Sequence, residues 1–195
     1  MKISLIKHPD GKHRCSWCGD IPEYIHYHDT EWGVPVKDDQ RLFEKICLEG
    51  FQSGLSWITI LRKREAFRKG FAGFEIDKVA AFTDKDIERL VLDAGIVRHR
   101  GKITSTINNA KRTRELIDKE GSLAEFIWRY QPDKKTRPIV ITPEIAGTLT
   151  QSPESAALSK ELKKRGFSFV GPTTMYAFMQ SMGLVNDHLE GCDSR

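Results

Sequence analysis

The chain has 195 residues, 39% of them hydrophobic and 30% charged, with a formal net charge of +4. That is enough sequence for one large or two small domains with a substantial core, and the mildly basic balance fits a nucleic-acid partner without requiring one. No apolar run approaches the roughly 20 residues of a membrane span, so no membrane partner is expected, and four cysteines are too few for a disulfide scaffold of this size.

The opening "MKISLIKHPDGKH" is charged but has too short an apolar core for a signal peptide. It reads as a flexible extension over residues 1–13, ahead of a single domain over residues 14–195. Without an export signal, the expected location is cytoplasmic, where thiols stay reduced and metal binding is their special use. Next, "RCSWCGDIPEYIHYHDTEWG" offers Cys15, Cys18, His26 and His28.

Helical patterning dominates the rest of the chain. "RLFEKICLEG" puts Leu42, Phe43 and Ile46 on one face and is expected to stop at Gly50. Cys47 falls within that apolar face and reads as core. "SWITILRKREAFRKGF" opens with Ser56 as a candidate N-cap. "TDKDIERLVLDAG" begins with a capping-box-like Thr83 and is expected to stop at Gly95. A further helix is predicted over residues 102–120, ending at Gly121, and "SLAEFIWRY" comes next with Ser122 and Glu125 as its box. Residues 131–155, rich in proline and polar side chains, read as an irregular connection in which "IVIT" is strand-like.

The connection leads into "AALSKELKKRGFSFVGPTTMYAFMQSMG", a helix, a turn and a helix over about residues 156–182. Gly166 suits a left-handed C-cap, and Gly171 with Pro172 suits a helix start. Such a turn presents unpaired backbone N–H groups to an anion, and Lys163 and Lys164 lie just upstream. This is the pattern of a helix-hairpin-helix gripping a phosphate backbone, with Gly166, Gly171, Thr173, Lys163 and Lys164 as the expected DNA contacts. An ordinary helical hairpin packed through "FSFV" has the same spacing.

Two places carry further chemistry. "NDHLEGC" near the C-terminus supplies His188 and Cys192, half of a tetrahedral zinc site. The other half is either the Cys15–Cys18 pair or Cys15 with His28, and spacing alone leaves both open. In the middle, Glu49 sits near a helix C-terminus, where a carboxylate opposes the helix dipole. Tyr24, Tyr27 and Trp32 in "EYIHYHDTEWGVP" and Trp57 in "CLEGFQSGLSW" are aromatic side chains suited to a flat, electron-poor ligand held at its edge by an acid. For Trp32, core packing is the expected role.

Taken together, "RCSW", "YHDTEWGVP", "LFEKICLEGFQSGLSWITIL", "DAGIVRHRGKI", "LKKRGFSFVGPTTMYAFMQSMGLVNDH" and the terminal "GC" resemble the DNA-3-methyladenine glycosylase I family, in order and over nearly the whole chain. The resemblance implies an all-α, helix-hairpin-helix DNA glycosylase fold, with one structural zinc ion on Cys15, His28, His188 and Cys192 clasping the two ends. It implies a monomer acting on double-stranded DNA that contains alkylated bases, flipping out 3-methyladenine and hydrolysing its N-glycosidic bond to leave an abasic site. Residue by residue, it assigns Glu49 to the base edge with Tyr27, Trp57 to stacking, Tyr24 and Trp17 to pocket walls, and Leu55 to the wedge that fills the emptied stack. Cys18 is left outside the metal shell. Related helix-hairpin-helix enzymes carry a catalytic aspartate shortly after the hairpin, which this family lacks; Asp187 lies in that region but adjoins a zinc ligand and is not expected to be the base. A silent DNA-binding module would not need Glu49, Trp57 and Tyr27, and a zinc hydrolase would need an open coordination position.

Overall fold

A computed structural model describes residues 3–195. Two three-residue strands come first, β1 (Leu5–Lys7) and β2 (His13–Cys15), antiparallel with Leu5 opposite Cys15. They fall largely in the segment that the sequence presents as a flexible extension, whose first two residues lie outside the described ones. Ile3 and Leu5 pack against a small apolar cluster of Cys15, Ile141, Leu189 and Cys192.

Helix α1 (Pro22–Thr30) comes next, with proline in its first turn. Helix α2 (Asp39–Gln52) is capped by Asp38, whose carboxylate accepts from the Arg41 amide at 2.8 Å. The sequence predicts one apolar face on α2 and a stop at Gly50; instead every residue from Leu42 to Phe51 is buried, and the helix continues past the glycine. A Cβ on Gly50 would stand 3.2 Å from the Phe169 Cβ, so the missing side chain serves close approach rather than termination.

Helix α3 (Trp57–Gly70) starts after Ser56, but that hydroxyl bonds Thr59 Oγ1 at 2.8 Å and not a backbone amide, so the expected cap is absent. Helix α4 (Ile76–Ala80) is short. Helix α5 (Asp84–Leu92) opens with the predicted capping box, the Thr83 amide donating to Asp86 at 2.9 Å. It stops at Leu92, short of Gly95, because the Asp93 carboxylate accepts from the Gly95 amide at 2.8 Å and turns the chain.

Helix α6 (Arg100–Glu120) ends as expected at Gly121. Helix α7 (Leu123–Trp128) is capped by Ser122, which accepts from the Glu125 amide at 2.9 Å. The "IVIT" run is not a strand. Ile139 is 91% exposed, prolines flank the run and interrupt any ladder, and Thr142 instead caps helix α8 (Pro143–Ala146).

Helix α9 (Pro153–Lys164) and helix α10 (Pro172–Ser181) form the predicted hairpin. Gly166 takes the left-handed conformation there, φ 86°. The turn is fastened to α6, with Asn109 Nδ2 donating to the Ser168 carbonyl at 3.0 Å and Asn108 Nδ2 to the Gly166 carbonyl at 2.8 Å. The main core surrounds α2 and includes Phe51, Phe67, Phe71 and Phe74, each essentially fully buried, and each such side chain contributes about 1.5–3 kcal/mol.

Candidate metal centre and base pocket

The chain ends meet at four buried side chains. Cys15, His28, His188 and Cys192 each direct one ligand atom into a group lying within 4.8 Å of one another. Cys192 Sγ is 3.6 Å from His28 Nε2 and 3.5 Å from His188 Nδ1, and Cys15 Sγ is 3.8 Å from His188 Nδ1. A tetrahedral ion with bonds of about 2.0–2.3 Å separates its ligand atoms by roughly 3.3–3.8 Å, so two thiols and two imidazoles fit a metal here.

The surrounding groups aim the ligands. His28 turns its other nitrogen to the Asp29 carboxylate at 2.7 Å, and His188 turns its own to the Trp32 carbonyl at 3.0 Å. Asp29 in turn takes two hydrogen bonds from Arg14 Nε, at 2.9 and 3.0 Å, and Arg14 also holds Asp10 at 2.7 Å. Burial raises the Asp29 carboxyl, but the Arg14 and His28 hydrogen bonds outweigh it and hold the group below the usual carboxylate range. The neighbouring Cys192 sulfur and burial raise the Cys15 thiol, while Cys15 and the two imidazoles lower Cys192. Such outer partners fix ring orientation and tautomer in metal sites. Cys18 is buried but outside the group, donating to the Cys15 carbonyl at 3.2 Å.

Beside this centre lies a pocket of about 750 Å³. Trp17, Tyr24, Tyr27 and Trp57 line it together with Glu49, so the five residues expected to handle a base share one cavity. Trp17 links the two sites, its ring 5.0 Å from His28 and 5.1 Å from Tyr24. Tyr27 lies 5.4 Å from Trp57. Trp32, expected in the core, lines the pocket as well, as do seven residues between Pro143 and Thr150 of the irregular connection. Burial pushes the Tyr24 hydroxyl up to about 12 and raises Tyr27 well above its ordinary value, so both remain neutral donors. Trp57 Nε1 is buried with no hydrogen-bond partner among the described residues.

Glu49 is only 4% exposed, three residues before the end of α2. Its unfavourable place on the helix dipole is answered by Lys45, one turn back, whose Nζ lies 3.1 Å from the carboxylate. The same ammonium donates to Tyr27 Oη at 2.9 Å and stands 3.2 Å from the centre of the Trp57 ring. Sequence reasoning missed Lys45. The four-residue spacing to Glu49 was visible, but it looks like an exposed helix pair, and only the burial of α2 on all sides makes it part of the site.

Asp187 also lines the pocket, and its carboxylate is occupied by Arg137, by Tyr176 Oη at 2.8 Å and by Gln180 Nε2 at 2.9 Å. Leu55 is 41% exposed in the loop between α2 and α3. Lys102, another residue without a signal in the sequence, pins that loop by donating to the Phe51 and Ser53 carbonyls at 2.9 and 2.6 Å. Lys163, Lys164 and Thr173 are exposed on the hairpin, and Gly171 precedes the first turn of α10. Among the described residues, no helix is long and apolar enough to cross a membrane.

The chain is similar to known proteins over most of its length. A family model described as methyladenine glycosylase matches residues 17–195. DNA-3-methyladenine glycosylase 1 of Escherichia coli K12 is 50% identical over 185 residues, covering 92% of this chain and 95% of that protein. DNA-3-methyladenine glycosylase of Haemophilus influenzae is 49% identical over 180 residues, covering 92% and 96%. A solved structure of 3-methyladenine DNA glycosylase I from Staphylococcus aureus, described as the structural basis of 3-methyladenine recognition, superposes with a TM-score of 0.86 at 37% identity, covering 93% and 95%.

Proposed function

The chain belongs to the methyladenine glycosylase family, and we propose that its aromatic pocket receives a 3-methyladenine turned out of alkylated double-stranded DNA. The reaction is hydrolysis of the N-glycosidic bond in base-excision repair, releasing the base and leaving an abasic site. The observation that carries the reading is a nearly buried carboxylate, Glu49, in one cavity with Trp17, Tyr24, Tyr27 and Trp57.

In this reading the flipped base lies against the Trp57 face, with Trp17 and Tyr24 as walls. A methylated purine in DNA carries positive charge, and an aromatic face rewards that charge by about 0.5–2 kcal/mol. Glu49 accepts from the amino group at the edge of the base, and Tyr27 supplies a neutral hydroxyl to the same edge. Unmodified adenine offers the same amino group but no positive charge, so the carboxylate favours it less than the lesion. A cationic purine is already a good leaving group. Positioning and electrostatic preorganisation therefore carry the rate with little acid–base help, and Asp187, committed to Arg137, Tyr176 and Gln180, stays a structural carboxylate.

Leu55 is the wedge that fills the vacated stack, at the tip of the loop held by Lys102. The hairpin grips phosphates through Gly166, Gly171, Thr173, Lys163 and Lys164 without reading sequence. Cys15, His28, His188 and Cys192 are the ligands of one zinc ion, which when bound supplies a closed structural cross-link between the two ends and no open position for chemistry. Residues 14–195 form one glycosylase domain that works as a monomer in the cytoplasm.

Release of free 3-methyladenine from methylated DNA tests the reading. Glu49→Gln is expected to lower the single-turnover rate by about 10²–10³-fold, the usual loss when one preorganised electrostatic group is removed, while DNA affinity is retained. Unchanged excision would remove Glu49 from the reaction.

A further inference from the structure

Lys45 has no part in base recognition as proposed, yet it touches three of the residues that do. Tyr27 and Trp57 line both the base pocket and a second, narrow cleft; Lys45 lines that cleft and not the pocket, while Glu49 lines the pocket and not the cleft. The two rings are therefore the partition between Lys45 and a bound base. With the ammonium 3.2 Å from the Trp57 ring centre and a stacked base about 3.5–4.0 Å from the opposite face, the two cations would stand about 7 Å apart with only an indole between them. Lys45 also neutralises Glu49, the carboxylate that is to favour the lesion. While charged, it works against a cationic base twice.

We infer that Lys45 sets the charge of the base pocket: its ammonium competes with a cationic base for Trp57 and Glu49, and excision proceeds through the form in which Lys45 has released its proton to solvent. No bond other than this N–H changes in the step. The inference rests on the proposed reading that the pocket holds a cationic purine.

The surroundings favour the exchange. Facing Lys45 are Glu49 on its own helix, Tyr27 of α1, Glu31 just beyond α1, and Arg64 of α3; Arg41, Glu44 and Arg68 line the same cleft. Arg64 is held by Glu31 at 2.9 Å, and Arg68 by Glu44 at 2.9 Å, so these charges largely pair off among themselves. Burial then lowers Lys45 to about 8 against the opposing pull of Glu49. At neutral pH the ammonium form predominates, and a minority of the enzyme is ready for the lesion.

The test is the single-turnover rate of 3-methyladenine release from methylated DNA at saturating enzyme, followed from pH 6 to 9.5 or so. The native rate is expected to rise roughly tenfold per pH unit and level off above about 8. Lys45→Met, linear and uncharged, is expected to show no such rise and to exceed the native rate about tenfold near neutral pH. Lys45→Arg, permanently charged, is expected to stay slow throughout. A native profile flat in pH, or Lys45→Met slower than native or keeping its slope, overturns the inference. Titration of the Lys45 side chain by carbon NMR in the native full-length protein reads its protonation without any variant, and a midpoint near 10 would also overturn it. Absence of 3-methyladenine release by the native protein at every pH would instead defeat the functional reading itself.

Discussion

The terminal clasp and the base pocket share Trp17 as a wall, yet they treat buried polar groups in opposite ways. At the clasp each group is answered. His28 is backed by Asp29, Asp29 by Arg14, Arg14 by Asp10, and His188 by the Trp32 carbonyl. In the pocket Asp187 is fully engaged, but the groups at the aromatic end are under-committed: Trp57 Nε1 has no partner among the described residues, and the Glu49 carboxylate is paired with one lysine that is itself lowered by burial. Satisfied buried networks rigidify a fold, and unsatisfied ones are high in energy until something fills them. The clasp is built to stay as it is, and the pocket is built to change partners.

Breaking the clasp should therefore have the largest effect on stability. Cys192→Ser is expected to abolish binding of one zinc per chain and to loosen the chain ends by several kcal/mol, since structural zinc in small peptides is worth about 10–16 kcal/mol. Cys18→Ser should leave both zinc content and melting temperature nearly unchanged; metal analysis and thermal melting of the two variants decide it. A step outward, Arg14→Ala leaves Asp29 without its guanidinium. It is expected to weaken metal affinity about 10–100-fold and to destabilise by about 2–3 kcal/mol, read by competition with a chelator. The pocket should respond least. Trp57→Phe removes a donor that has no partner to lose, so its effect on stability should be about 1 kcal/mol or less, with the loss appearing in excision instead. A large drop in melting temperature for Trp57→Phe would erase the contrast between the two regions.

How much of this was legible depended on whether the signal was local. The Thr83 capping box, the Ser122 cap, glycine stops at Gly121 and Gly166, and the proline-led start of α10 are written in neighbouring residues, and those boundaries were read correctly, although Glu125 does not complete the box expected with Ser122. Gly50 misled because its reason lies 119 positions away, at Phe169, where two backbones come together. "IVIT" misled because β-branched residues favour strands only where a neighbouring strand exists to pair with, and the flanking prolines discourage one. At the site, spacing alone left Cys18 in contention as a ligand, and the family resemblance selected the four side chains that the fold brings together. Lys45, Lys102 and the pocket-lining place of Trp32 were invisible to both. Each depends on which faces of α1, α2 and α6 meet, and that is a property of packing, not of any one stretch.

The central claim is that a buried carboxylate among aromatic rings recognises the lesion by its charge. A structure of the chain with free 3-methyladenine tests it most directly. The account predicts the base stacked on Trp57 with its edge against Glu49 and Tyr27. A base bound elsewhere in the pocket, out of reach of the Glu49 carboxylate, would contradict it.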